Sequence, residues 1–156
     1  MKRSEMAVSK FKEGFNCAQS VLFSFCDDLQ LEKGTALKLA CGFGAGMGRK
    51  EEVCGAITGG IIAIGAKFGK TGKSDQMALE TTYNKTRELM DNFAQKRGTF
   101  ICRKLLNGCE LTTEKGQKQY KDLDLRDKAC VPCIQSAVEI LEGIIEAANP
   151  LIKLTE

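Results

Sequence analysis

Residues 54–66 constrain this chain more than any other stretch. They read Cys54-Gly55-Ala56-Ile57-Thr58-Gly59-Gly60-Ile61-Ile62-Ala63-Ile64-Gly65-Ala66. Helical spacing puts Gly55, Gly59 and Ala63 on one stripe, where a second helix can approach closely. A glycine inside a helix costs roughly 1 kcal/mol relative to alanine, so Gly55, Gly59, Gly60 and Gly65 need a packing or functional reason. The expected answer is a bundle, with the Gly55/Gly59 face packed on another helix such as the one bearing Cys17. The apolar run from Ile57 to Ala66 contains Thr58 and is about half the ~20 residues needed to span a bilayer.

Periodicity favours helices almost throughout. Only two prolines occur, Pro132 and Pro150, and no alternating strand pattern stands out. A first helix is expected over Ser4–Glu13, stopped by Gly14. Asn16 suits the N-cap of a second, with Ala18, Val21, Leu22, Phe25 and Leu29 on one face. A short helix over Thr35–Cys41 should lead into the turn Gly42-Phe43-Gly44-Ala45-Gly46-Met47-Gly48. The glycine-striped helix should begin near Lys50, with Glu51 and Glu52 in its first turn, and end near Phe68. A polar helix is expected over Ser74–Lys96, with Gly98 beyond it. Thr99 should cap a short helix holding Cys102, Leu105 and Leu106. Asn107–Arg126 reads as a charged connector. A last helix should run from Val131 to Ala148, with Ile134, Val138, Leu141 and Ile145 on its core face and Pro150 after its end. The expectation is one all-α domain over residues 1–156, a bundle of about five to seven helices.

Eight cysteines and no histidine shape the chemistry. The chain is long enough to bury a core without disulfide staples. The segment after Met1-Lys2-Arg3-Ser4-Glu5 lacks the apolar run of a signal peptide, so a soluble, cytoplasmic protein is expected. In a reducing compartment, clustered cysteines serve catalysis or metal binding more often than structural disulfides. Without histidine, a Cys–His dyad and mixed Cys/His metal sites are excluded. The net charge of +3 comes from interleaved acids and bases, so no nucleic-acid footprint emerges.

Cys17, Cys54, Cys102 and Cys133 all fall near expected helix starts, where free N–H groups and a partial positive charge favour thiolate. Cys54 is expected to be the most reactive or most essential thiol, with the carboxylates of Glu51 and Glu52 working against its ionisation. Cys130-Val131-Pro132-Cys133 is a C-x-x-C with proline in the first helical turn. It lacks the βαβ context of thioredoxin, the histidine of a c-type haem site and the second C-x-x-C of a zinc ribbon. The turn from Gly42 to Gly48 fails the dinucleotide spacing at Met47. Its N–H groups, at Gly44, Gly46 and Gly48, are candidates to meet an anion or cluster. Cys26 reads as core packing, Cys41 is ambiguous, and Cys109 reads as an exposed spectator thiol.

These residues resemble a family of redox-active proteins named for the pattern C_GCAxxG_C_C. The resemblance is carried by Asn16-Cys17-Ala18-Gln19, by the Gly42–Gly48 turn, by Cys54-Gly55-Ala56-Ile57-Thr58-Gly59, by Cys102-Arg103, and by Cys133 ahead of a helix. It covers about Phe15 to Leu141. The chain reads Cys-Gly-Ala where the family name writes Gly-Cys-Ala, and the glycine turn, Ala56 and Gly59 set the register. The expected function is thiol–disulfide exchange or electron transfer by Cys17, Cys54, Cys102 and Cys133, with Cys130 as a resolving thiol and a redox protein as partner. In the alternative reading the same four cysteines ligate an iron–sulfur cluster or zinc. A third reading is a helical interaction protein with passive cysteines. Homodimerisation stays open.

Overall fold

The computed structural model describes residues 1–149; Pro150, expected to follow the last helix, lies outside them. The described residues are helical apart from turns and one isolated antiparallel bridge between Val53 and Ile101. Helix α1 spans Arg3–Lys12, α2 Cys17–Phe23, α3 Cys26–Leu29, α4 Lys33–Ala40 and α5 Gly44–Met47. Then come α6 Gly55–Phe68, α7 Gln76–Arg97, α8 Cys102–Leu105, α9 Glu114–Asp122 and α10 Val131–Ala147. The all-α expectation holds, but the helices outnumber the expected five to seven. The surplus is short: α3, α5 and α8 are single turns of four residues each.

Local chemistry explains the main boundaries. Asn16 Oδ1 accepts from the Gln19 amide at 3.0 Å while Gln19 Oε1 accepts from the Asn16 amide at 3.0 Å. This reciprocal capping box starts α2 one residue before Cys17. Gly98, with φ of 90°, closes α7 in the left-handed conformation expected of a helix-ending glycine. The second helix breaks at Ser24 and Phe25, yet Ala18, Val21, Leu22 and Phe25 all remain in the core.

Helix α6 is the centre of the bundle, packed on α2, α7 and α10, with α1 against α10. Its glycine stripe does what its spacing predicts. A Cβ on Gly59 would lie 2.4 Å from the Ala18 carbonyl oxygen, and one on Gly55 would lie 3.0 Å from the Cys17 Cβ. Only a hydrogen fits there, so α2 lies directly on α6 and the starts of the two helices meet. Ile57, Ile64, Leu89, Phe93, Ile134 and Leu141 fill the core behind them. Burying a side chain of this size contributes roughly 1.5–3 kcal/mol.

Three expected boundaries need correction. Helix α6 begins at Gly55, not near Lys50, because residues 51–54 are held away from helical geometry. Glu51 has φ of 60°, and the Cys54 amide donates to the Phe100 carbonyl at 2.8 Å. Ile101, not Thr99, occupies the cap position of α8; the Thr99 hydroxyl instead accepts from the Ile101 amide. The charged connector holds α9 and part of a second core, in which Cys102, Leu106, Cys109, Leu111 and Leu125 are buried together. Cys109 is therefore not an exposed spectator: it is 1% exposed, and its thiol donates to the Gly116 carbonyl.

Candidate functional site: paired thiols at the helix starts

Five cysteines converge where the helix starts meet. Cys17 is the first residue of α2 and Cys102 the first of α8. Cys54 is the cap residue of α6, Cys130 that of α10, and Cys133 is the third residue of α10. The glycine stripe holds Cys17 against α6. The short bridge ties Cys54 to Cys102, because the Cys102 amide donates to the Glu52 carbonyl at 2.7 Å beside the Cys54–Phe100 bond. A π-helical turn, Arg126–Cys130, delivers Cys130 to the head of α10. Cys17, Cys54, Cys102 and Cys133 are buried and Cys130 is partly exposed.

The thiols meet in pairs. Cys17 lies close enough to Cys130, and Cys54 to Cys133, for the partner sulfur to be the largest influence on its ionisation. The Tyr120 hydroxyl also donates to Cys130 Sγ at 3.4 Å. These contacts, with burial, decide which thiol ionises. Hydrogen bonds from Cys17 and Tyr120 pull the Cys130 thiol below its ordinary range, against the cost of burial. Cys17, the donor in that pair, is pushed well up by the same hydrogen bond, then by burial and by the neighbouring sulfurs. Cys54 is pushed well up by its bond to Cys133 and by burial, although the Ala56 amide at the start of α6 favours its thiolate. Burial, with the Cys54 and Cys130 charges next, raises Cys102. Tyr120 is raised by burial and by Cys130, so its phenol keeps its proton and remains a donor. For Cys54, desolvation and a paired thiol outweigh the helix start, which runs against a low thiol pKa there.

Glu51 takes a different part from the one expected. It is buried, with Oε1 accepting from the Leu111 amide at 2.9 Å and lying 3.6 Å from Arg103. Oε2 has no hydrogen-bond partner. Burial raises Cys102 and Cys109, and the neighbouring Glu51 adds to it. The glycine turn is shaped by the chain around it. A Cβ on Gly46, at φ of 67°, would lie 2.5 Å from the Glu51 Cα. One on Gly44 would strike the Asn16 side chain at 2.3 Å. The Gly48 amide donates to the Gly44 carbonyl, and Gly48 faces open space. The turn thereby seats the approach to Cys54 beside the cap of α2. Cys41 is exposed, and Cys26 is packed in the core with its thiol donating to the Leu22 carbonyl, as its apolar setting implies. Among the described residues, no three of Cys, Asp or Glu are grouped so that they could hold one metal ion.

The Cys17–Cys130 pair faces a solvent-open cavity of about 370 Å³. Phe11, Leu106 and Leu111 give it an apolar wall, Tyr120 sits beside the sulfurs, and Arg49 and Lys121 line it as well. Tyr120 and Lys121 come from the charged connector, where spacing gives no hint of either. The one available signal was the lone tyrosine in that charged stretch.

Fold and site together define an all-helical protein with two thiol pairs gathered at the heads of three helices. A family model described as "Putative redox-active protein (C_GCAxxG_C_C)" matches residues 15–144. The chain belongs to that family. No curated protein and no solved structure matches it. No helix among the described residues is long and apolar enough to cross a membrane.

Proposed function

We propose that this protein performs thiol–disulfide exchange, with Cys130 as the attacking thiolate and Cys17 as the resolving thiol. The observation that carries this reading is that Cys17 and Cys130 line one cavity, with the Tyr120 hydroxyl donating to the Cys130 sulfur. The thiolate is the nucleophile in disulfide exchange. Cys130 is the thiol whose neighbours favour that state. Its sulfur attacks one sulfur of a substrate disulfide, forming a mixed disulfide and releasing one thiolate. Cys17 then loses its proton to solvent and attacks the Cys130 sulfur. The second half of the substrate leaves as thiolate, and a Cys17–Cys130 disulfide remains. Two protein thiols are oxidised and one substrate disulfide is reduced to two thiols.

Cys54 and Cys133 form a second dithiol behind the first. Like Cys17 and Cys130, they come from different helices. Closing either bridge brings its two sulfurs to about 2.05 Å. Glu51 and Cys102 flank the pairs and place a buried charge beside them.

The test is oxidation of the reduced protein by a small disulfide, followed by peptide mapping under non-reducing conditions. A Cys17–Cys130 link that forms first and reverses with a dithiol reductant is the expected result. Mixed disulfides that never resolve into an internal bridge would overturn the reading.

A further inference from the structure

We propose that the cavity in front of Cys17 and Cys130 is a binding site for a small, carboxylate-bearing disulfide. This rests on the exchange chemistry proposed for that pair and adds the class of substrate. The cavity, about 370 Å³, falls in the range of small-molecule clefts. Arg49 and Lys121 line it, and no carboxylate does. Neither cation forms an ion pair among the described residues, so both are free to meet an anion. The two approach from opposite parts of the chain, Arg49 from the turn after α5 and Lys121 from α9. Arg49 has φ of 67°, which marks a backbone shaped by its surroundings. Phe11, Leu106 and Leu111 offer apolar contact to the body of the ligand, and the two sulfurs line the same space. An anionic group held by the cations leaves the disulfide of a small molecule within reach of Cys130. The same two charges repel a cationic disulfide.

The reaction follows the balance already given: the bound disulfide accepts two electrons, leaves as two thiols, and the protein closes Cys17–Cys130. Two disulfides of similar size and opposite charge test the assignment. Dithiodiglycolate carries two carboxylates and cystamine two ammonium groups. The rate of Cys17–Cys130 closure is followed by quenched peptide mapping with each, in the wild type and in the double variant Arg49→Ala/Lys121→Ala. Both side chains are exposed, so the fold should tolerate the change. The variant should close about tenfold more slowly with dithiodiglycolate, the scale of a local electrostatic effect on encounter, and no more slowly with cystamine. The cystamine rate also shows that the pair is intact. Added salt should slow the wild type with dithiodiglycolate. Closure that proceeds with both probes but is insensitive to Arg49 and Lys121 would overturn this inference while leaving the exchange reading standing. Failure of both probes to close the bridge in the wild type would overturn the exchange reading and this inference with it.

Discussion

The two thiol pairs are built from the same parts and set to different ends. Cys17–Cys130 and Cys54–Cys133 each join a residue at the head of α10 to one at the head of a neighbouring helix. The first pair has a phenol donor and a cavity lined by both of its cysteines, whereas only Cys133 of the second pair lines a cavity. In the second, Cys54 is buried and its thiol is pushed up by its partner and by desolvation. Position at a helix start is therefore not what separates a thiol whose pKa is lowered from one whose pKa is raised here. The partial charge at a helix start is worth about 0.3–1 kcal/mol when exposed. Burial of a charge, and hydrogen bonds to the charged form, reach several pKa units.

Removing Cys130 should have the largest effect on this contrast. Cys130→Ser should abolish formation of the Cys17-linked bridge and leave Cys54–Cys133 able to close, read by peptide mapping after oxidation. Continued rapid bridging of Cys17 to another cysteine would show that the pairs are not distinct. Next comes the seam that brings the pairs together. Gly59→Leu forces a side chain into the Ala18 backbone and should lower stability by about 3 kcal/mol, the upper part of the overpacking range. A thermal melt checks it, and an unchanged midpoint would mean that α2 and α6 can separate freely at that point.

A smaller effect should appear in the pH dependence of alkylation. Cys130 is lowered, so its thiolate population should appear at lower pH than that of an ordinary thiol. Cys54 is raised, so its labelling should lag until higher pH. Site-resolved iodoacetamide labelling from acid to alkaline pH reads both curves. Cys54 labelling ahead of Cys130 would reverse the assignment of the attacking sulfur. The mildest change is Tyr120→Phe. It removes one donor to the Cys130 sulfur, worth about 0.5–1.5 kcal/mol. The midpoint of Cys130 labelling should rise by up to about one pH unit, since one unit corresponds to 1.36 kcal/mol. The Cys54 curve should stay in place.

Much of the frame was legible because its signals are local. The Asn16 cap, the Gly98 stop, the spacing of Gly55 and Gly59, and Pro132 behind Cys130 each act within a few residues or along one helix face. They put four cysteines at helix starts without reference to the rest of the fold. The start of α6 is not legible locally, because Glu51 and Glu52 look like first-turn acids. What draws Glu51 elsewhere is the Leu111 amide, sixty residues on. The burial of Cys109 is hidden for the same reason: its polar sequence neighbours conceal the Leu106, Leu111 and Leu125 side chains that bury it.

The sequence by itself determined a helical chain, a small-residue seam and cysteines at helix heads, because helix caps, glycine stops and side-chain periodicity are short-range properties. Only the tertiary structure decided which sulfurs meet, which of them faces a cavity, and that Tyr120, Arg49 and Lys121 stand beside it. Desolvation and hydrogen bonding between residues far apart in the chain depend on that packing, and they set the order in which the thiols ionise.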